Sequence, residues 1–334
     1  MWKGWGMDTS IVGRTGRKVS RIGQGCWQFG GDWGNVSDET ALQVLHTAAD
    51  SGVTFFDTAD VYGDGHSEEL VGRFLKERAD ASLMVATKMG RRADPHEPQE
   101  FTSENLRAWN DRSRRLLGVD TIDLVQLHCP PTPVYGDDRV FDILDEMVTE
   151  GRMRGYGVSV ETVDEAMTAL QRPNLRSIQL ILNIFRRKPL EQVLPAAKAS
   201  NVAVIARVPL ASGLLSGKFS EDSTFAPTDH RTFNRHGEAF DQGETFSGVP
   251  FDEGVAAARE VADLCPEGMT PAQFALRWVI DQDGVSVAIP GASRPEQARR
   301  NAEAGSMPAL TAEQLAAVEG IYNRRIRQFV HARW

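Results

Sequence analysis

Residues 21–31 read RIGQGCWQFGG. A short apolar start at Ile22 runs into glycines at positions 23, 25, 30 and 31. The spacing of those glycines separates two parallel architectures. A doubly wound open sheet holds its dinucleotide on a G-x-G-x-x-G turn directly after the first strand. Here the pattern is G-x-G-x-x-x-x-G-G, which is the wrong spacing. The closed barrel is then the architecture that the rest of the chain has to support.

Working outward, apolar runs recur at 21–27, 54–60, 83–89, 124–129, 155–160, 177–183, 202–208 and 285–291. Segments with helical spacing separate them. DETALQVLHTAADSG (38–52) has an acidic start, apolar residues at helical spacing and a glycine stop. SEELVGRFLKERA (67–79), SENLRAWNDRSRRLLG (103–118), DRVFDILDEMVTEG (138–151), ETVDEAMTALQ (161–171), PLEQVLPAAKAS (189–200) and TPAQFALRWVID (270–281) follow the same grammar. Eight strand–helix pairs predict an α/β fold, a (β/α)8 TIM barrel of parallel strands. Residues 8–20 read as a short N-terminal β-hairpin. Residues 220–252 mix Gly, Pro, Asp and aromatics over a length that no ordinary connection needs, and read as a long functional loop or lid after strand 7. The stretch TAEQLAAVEGIYNRRIRQ (311–328) reads as a final helix.

The 334 residues suit one barrel domain spanning 1–334. The net charge of −9 argues against nucleic-acid partners. Three cysteines, Cys26, Cys129 and Cys265, form no CxxC pair, so a reducing compartment is expected and with it a cytoplasmic location. The opening MWKGWGMDTSIVGRTGRKVS lacks the apolar core of a signal peptide, and no run approaches the ~18 apolar residues of a membrane span.

Barrels of this kind carry their chemistry at the C-terminal ends of the strands. That rule picks out Asp57, Lys88 and His128, with Tyr62 in the loop after Asp57. Each alone has a plain structural reading: a turn-forming Asp, a Lys reaching solvent, a satisfied His, a packed Tyr. Their joint occurrence on successive strands points to a proton-donating group. A phenol titrates near ~10, and an adjacent ammonium favours its ionised form. Asp57 would hold Lys88 charged, and His128 would orient a carbonyl oxygen. Such a set supplies no hydride, which implies a bound nicotinamide cofactor. No set of clustered His and acid residues on strand ends suggests a metal; His230 and His236 lie in the long loop without rigid acidic partners.

"FFDTADVYG" (55–63), "VATKM" (85–89) and "LVQLHC" (124–129) resemble, in order, the Asp, Tyr, Lys and His motifs of the aldo-keto reductases. The resemblance covers nearly the whole chain. It implies Tyr62 as general acid, Lys88 and Asp57 tuning it, and His128 orienting the carbonyl of a small-molecule substrate. It implies NADPH/NADP as cofactor in preference to NAD. "GVSV" (157–160) is similar to the family's GVSN, so Ser159 would hold the carboxamide, with Val160 in place of the Asn. Gln179 matches the family's glutamine on strand six. Arg207 stands where many members stack a tyrosine under the nicotinamide; a stacked guanidinium and a salt bridge to a neighbouring acid are both open.

By the same likeness, Gly25, Cys26, Trp27 and Asp57 would face the cofactor. The run after strand seven would wrap the pyrophosphate through Val208, Pro209, Leu210, Ser212, Gly213, Leu214, Gly217 and Lys218. "IPGASRPEQARRNAEA" (289–304) resembles the family's phosphate motif and implies contacts from Pro290, Gly291, Ala292, Ser293, Arg294, Gln297 and Asn301. A serine and an arginine at a helix N-terminus favour a 2′-phosphate. Gly291 and Ala292 replace the Lys and Ser of some members, and Arg294, Arg299 and Arg300 also read as a solvated helix face. Trp27 and Trp33 would line the substrate mouth, although Trp33 also reads as simple loop packing. Carbonyl reduction is the expected activity. Alcohol or sugar oxidation is the same chemistry reversed, and a nucleotide-sensing channel subunit is a further reading, against which no added N-terminal segment is seen.

Overall fold

The computed structural model describes residues 6–31, 33, 34 and 36–334. Part of the opening segment read for a signal peptide, and Asp32 of the loop after the first strand, lie outside them. Two short antiparallel strands, β1 (Thr9–Ile11) and β2 (Lys18–Ser20), form the expected hairpin. Eight parallel strands follow: β3 (Gln24–Gly25), β4 (Phe55–Asp57), β5 (Met84–Met89), β6 (Leu124–His128), β7 (Tyr156–Ser159), β8 (Ser177–Ile181), β9 (Ala203–Arg207) and β10 (Val285–Ala288). They lie side by side in chain order. Ile22 bridges Ala288 and Gly25 bridges Gly291, which closes the sheet on itself. The fold is the α/β (β/α)8 barrel that the glycine spacing favoured.

The helices are α1 (Asp38–Asp50), α2 (His66–Arg78), α3 (Ser103–Leu117), α4 (Asp138–Thr149), α5 (Val163–Ala169), α6 (Val193–Ala199), α7 (His230–Phe233), α8 (Phe251–Ala262), α9 (Pro271–Asp281), α10 (Pro295–Glu303), α11 (Ala312–Ile321) and α12 (Arg327–Val330). Their starts are set by local chemistry. Ser37 and Thr102 accept hydrogen bonds from the third residue beyond, and Thr162–Glu165 and Thr270–Gln273 form reciprocal capping boxes. Helix α8 went unread in the sequence. Its Gly254 faces Leu214, whose side chain would collide with any Cβ there, so a helix-weakening residue marks close packing. The expected tail helix is interrupted by a π turn at Tyr322–Ile326. No helix among the described residues is long and apolar enough to cross a membrane.

Side chains alternate along each strand, so every second residue points into the barrel. Phe55, Met84, Leu124, Ala203, Ile205 and Val287 fill its interior, and Val12 and Val19 from the hairpin join them. The Ser10 hydroxyl donates to the carbonyl of Ser286, tying the hairpin to β10. The hairpin thus plugs the end where the strands begin. Continuing the alternation by two or four residues carries the inward face from Phe55 to Asp57, from Met84 to Lys88, from Leu124 to His128 and from Ala203 to Arg207. Apolar packing fills one end and leaves polar groups at the other.

Candidate active site

Parallel pairing sets Asp57 beside Ala86, Lys88 beside Gln126 and His128 beside Ser159. Lys88 thus lies two residues beyond the partner of Asp57, and His128 two beyond the partner of Lys88, all at the end where the strands finish. The Lys88 side chain is 1% exposed. Its Nζ donates to Asp57 Oδ1 at 2.5 Å, to the Thr58 carbonyl at 2.8 Å and to the Tyr62 hydroxyl at 3.3 Å. Asp57 Oδ2 accepts from Gln126 Nε2 at 3.2 Å and from Gln179 Nε2 at 2.8 Å. An ammonium only donates, so the Tyr62 oxygen is an acceptor toward Lys88 and the phenol proton is left for another partner. The Tyr62 and His128 rings meet edge to face at 5.9 Å.

Burial pulls the Lys88 ammonium down, but Asp57 and Tyr62 outweigh it and the net shift is upward, so Lys88 stays charged. Burial, with Arg91, Lys88 and Arg207 nearby, holds His128 well below the usual imidazole range and neutral. For Tyr62 burial pushes the phenol up and outweighs the Lys88 ammonium, which acts in the expected direction. The phenol is therefore protonated at neutral pH.

Tyr62 and His128 open onto a cavity of about 570 Å³. Asp57, Gln179, Gly25, Cys26, Trp27 and Trp33 line it, as do Val208, Pro209, Leu210, Ser212, Gly213 and Lys218 from the loop after β9. Pro290, Gly291, Ala292, Ser293, Arg294 and Gln297 line the end beside α10. Ser293 donates through both N and Oγ to Gln297 Oε1, which orders the start of that helix. The loop after β9 takes left-handed backbone at Val208, Ala211, Ser212 and Gly213, and the small side chains among them keep that turn open.

Four expected contacts stand behind the wall instead. The Ser159 hydroxyl accepts from the Cys129 amide at 2.9 Å and stays within the sheet. Leu214 packs on Gly254, Gly217 lies against Pro271, and Asn301 donates to the Gly291 carbonyl at 3.2 Å. Lys88 is likewise behind Tyr62 rather than in the wall.

Arg207 lines the cavity and is also paired. Its Nη2 lies 2.9 Å from Glu244 Oε1 and 3.2 Å from Glu161 Oε2, and donates to the Val160 carbonyl at 3.3 Å. Of the two readings left open, the salt bridge is formed. Val160 itself is buried and presents only that carbonyl. The sequence reading missed Glu244, Arg91, Gln28, Arg231 and Phe240 in the wall. Arg91, three residues past Lys88, was within reach of the strand-end rule. The others sit in short turns and in the four-residue helix α7, too short to carry a readable period.

At the mouth, Trp27 stacks on Tyr62 with centroids 6.0 Å apart and meets Trp33 edge-on at 5.4 Å. His230 and Phe240 of the long loop close in at 4.9 and 5.9 Å from Trp27. His230 is 4.4 Å from Trp33, so Trp33 belongs to the mouth and does more than pack its own loop. Among the described residues, no group of three or more His, Cys, Asp or Glu is placed to hold a metal ion.

The pattern of the Aldo/keto reductase family matches residues 21–323. The chain is 32% identical over 298 residues to Aldo-keto reductase YhdN of Bacillus subtilis, covering 87% of this chain and 86% of that one. Among solved structures it is similar to the glycerol dehydrogenase AKR11B4 of Gluconobacter oxydans, with a TM-score of 0.77, 32% identity and 96% of each chain covered. It is also similar to an aldo/keto reductase of Klebsiella pneumoniae solved in complex with NADP and acetate, with a TM-score of 0.67, 25% identity and 94% and 95% of the two chains covered. With a match over most of its length, and a barrel whose strand ends bring Asp57, Tyr62, Lys88 and His128 together, the chain belongs to the aldo/keto reductase family.

Proposed function

We propose that the protein is an NADP-dependent oxidoreductase that reduces an aldehyde or ketone to an alcohol, with Tyr62 as proton donor. The observation that carries this is the Lys88 ammonium, which spends its donors on Asp57, Thr58 and Tyr62 and leaves the phenol proton free for a ligand in the cavity.

The wall fits a phosphorylated dinucleotide. A Cβ at Gly25 would lie 2.8 Å from the Ile289 carbonyl, so the backbone there is packed close. Lys218 and Arg294 bring cations to the lining, and the nine-residue helix α10 begins beside Ser293 and Arg294. These residues would hold the phosphates. The cofactor, when bound, supplies the hydride. His128, neutral, donates an N–H to the carbonyl oxygen and orients it. Tyr62 gives its proton to that oxygen as charge develops there. Lys88, kept charged by Asp57, stabilises the phenolate left behind. Trp27 and Trp33 flank the substrate and keep water out. We place this work in a single catalytic domain in the cytoplasm, on a small-molecule carbonyl compound.

A second reading is the same chemistry run as alcohol or sugar oxidation. The similarity to a glycerol dehydrogenase favours it. Tryptophan fluorescence during titration with NADPH and NADH, followed by initial rates on aldehydes with NADPH and on polyols with NADP, tests both. Faster reduction supports the first reading and faster oxidation the second. Nucleotide binding without turnover in either direction leaves a nucleotide sensor and removes both.

A further inference from the structure

One buried acid has no part in the chemistry above. Asp60 lies three residues after Asp57 and two before Tyr62, is 0% exposed, and neither carboxyl oxygen has a hydrogen-bond partner among the described residues. Its backbone amide donates to the Lys88 carbonyl at 3.1 Å, which holds its backbone against the end of β5, and the Lys88 ammonium is among the cations that act on its carboxyl. Glu68 of α2, also 0% exposed, is its acidic neighbour; burial raises its carboxyl too, and it takes a hydrogen bond from the Thr87 hydroxyl at 2.6 Å. The cations facing Asp60 are Arg92 beyond β5, Arg112 of α3 and Lys88 itself. Arg112 spends Nη1 on the Asp60 carbonyl and another bond on Asp64, and Arg92 is paired with Asp64. None of them closes an ion pair with the Asp60 carboxyl. Two buried carboxyls with no dedicated cation do not both ionise.

We propose that Asp60 is a positioning residue for Tyr62 and Lys88, a carboxyl kept neutral behind the pair whose ionisation in alkaline solution weakens Tyr62 as a proton donor. Burial, with Glu68 beside it, raises this carboxyl to about 8. Below that pH Asp60 is uncharged and Lys88 is balanced by Asp57 alone. Above it, Asp60 loses its proton to solvent. The new anion favours the protonated forms of both Lys88 and Tyr62, so the phenol releases its proton less readily.

The proposal rests on the reductase reading, and the test separates the two. The kcat and KM of NADPH-dependent reduction are measured as pH is raised through about 8. The wild type is expected to lose kcat by about tenfold, the effect of one unit in donor acidity, with KM little changed. Asp60→Asn is expected to keep its rate over the same range. Glu68→Gln, which removes the neighbouring acid that helps raise Asp60, is expected to move the fall to lower pH. A fall that persists in Asp60→Asn, or that stays in place in Glu68→Gln, overturns the proposal. The second readout needs no turnover: the ultraviolet titration of Tyr62, each protein taken against its own Tyr62→Phe baseline. The phenol should titrate at lower pH in Asp60→Asn than in wild type. Equal titration overturns the proposal whatever the activity. The expected shift in a protein that turns over no carbonyl compound upholds the role of Asp60 and removes only the reductase reading.

Discussion

Arg207 Nη2 lies 2.9 Å from Glu244 Oε1, and the two side chains are 10% and 8% exposed. This contact joins the end of β9 to the long loop that follows it. Glu161 lies on the other side of the same guanidinium at 3.2 Å. Removing one member of a buried ion pair costs ~3–5 kcal/mol, because the partner is left uncompensated. Arg207→Ala leaves the buried Glu244 and the half-buried Glu161 without their shared cation, although Glu161 keeps Arg91 at 3.2 Å. Glu244→Gln leaves Arg207 with Glu161 and a neutral amide. Thermal unfolding should therefore show a larger loss in Arg207→Ala than in Glu244→Gln. The reverse order would mean that the pair does not tether the loop.

Tyr62→Phe preserves the ring that stacks on Trp27 and removes the hydroxyl that Lys88 contacts. Loss of a positioned acid–base group typically lowers rate by ~10²–10⁴. We expect a fall in kcat of that order with nucleotide affinity retained, read by initial rates and tryptophan quenching. A variant that keeps wild-type turnover would remove Tyr62 as the donor.

Lys88→Met replaces a sealed ammonium with an apolar chain of similar length. Asp57 keeps Gln126 and Gln179 as donors, so the fold should survive. The kcat should nevertheless drop at least as far as in Tyr62→Phe, since the phenolate loses its cation. Circular dichroism checks the first point and single-turnover kinetics the second.

His230 offers a pH test of the mouth. Burial lowers its imidazole to about 4, against an unfolded value of ~6.5. A folded value below the unfolded one means that its contribution to stability is present above ~6.5 and is lost as pH falls through about 4. Its ring packs on Trp27 and Trp33 and its Nδ1 meets the Thr245 hydroxyl at 3.1 Å. Tryptophan emission should shift to the red over that acid window in wild type. His230→Gln should remove the transition. Emission unchanged by acid down to that value would sink the idea.

Gly291 leaves room for the Gln28 side chain, which a Cβ would displace. Both residues line the cavity. Gly291→Ala should weaken NADPH binding, and adding Gln28→Ala should restore part of the loss. A double-mutant cycle by fluorescence titration gives the coupling, expected in the range of ~0.5–3 kcal/mol for touching residues. Additive effects would show that Gln28 does not transmit the change.

Asp57, Lys88 and His128 were legible in the chain because a strand has a period of two. Once Phe55, Met84 and Leu124 are taken as inward, the polar residues two and four positions on must face inward too. The parallel barrel then gathers them at one end. Tyr62 followed because it sits in the loop that Asp57 begins. The side chains behind the wall were not separable from those in it, because the likeness to family motifs places Ser159 and Asn301 near the site without saying where their hydrogen bonds go.

The sequence by itself determined the eight strand–helix units, their order, and the polar ends at which chemistry collects. Local propensity and hydrophobic period carry that information, and neither needs the rest of the molecule. Only the tertiary structure decided that Glu244 meets Arg207, that His230 and Phe240 close on Trp27, and that Asp60 lies sealed beside Glu68. The first two join a loop without period to the end of β9 and to the turn after β3. For Asp60, burial rather than position makes the group distinctive. Contacts of that kind arise when the barrel closes and excludes water, and no local pattern records them.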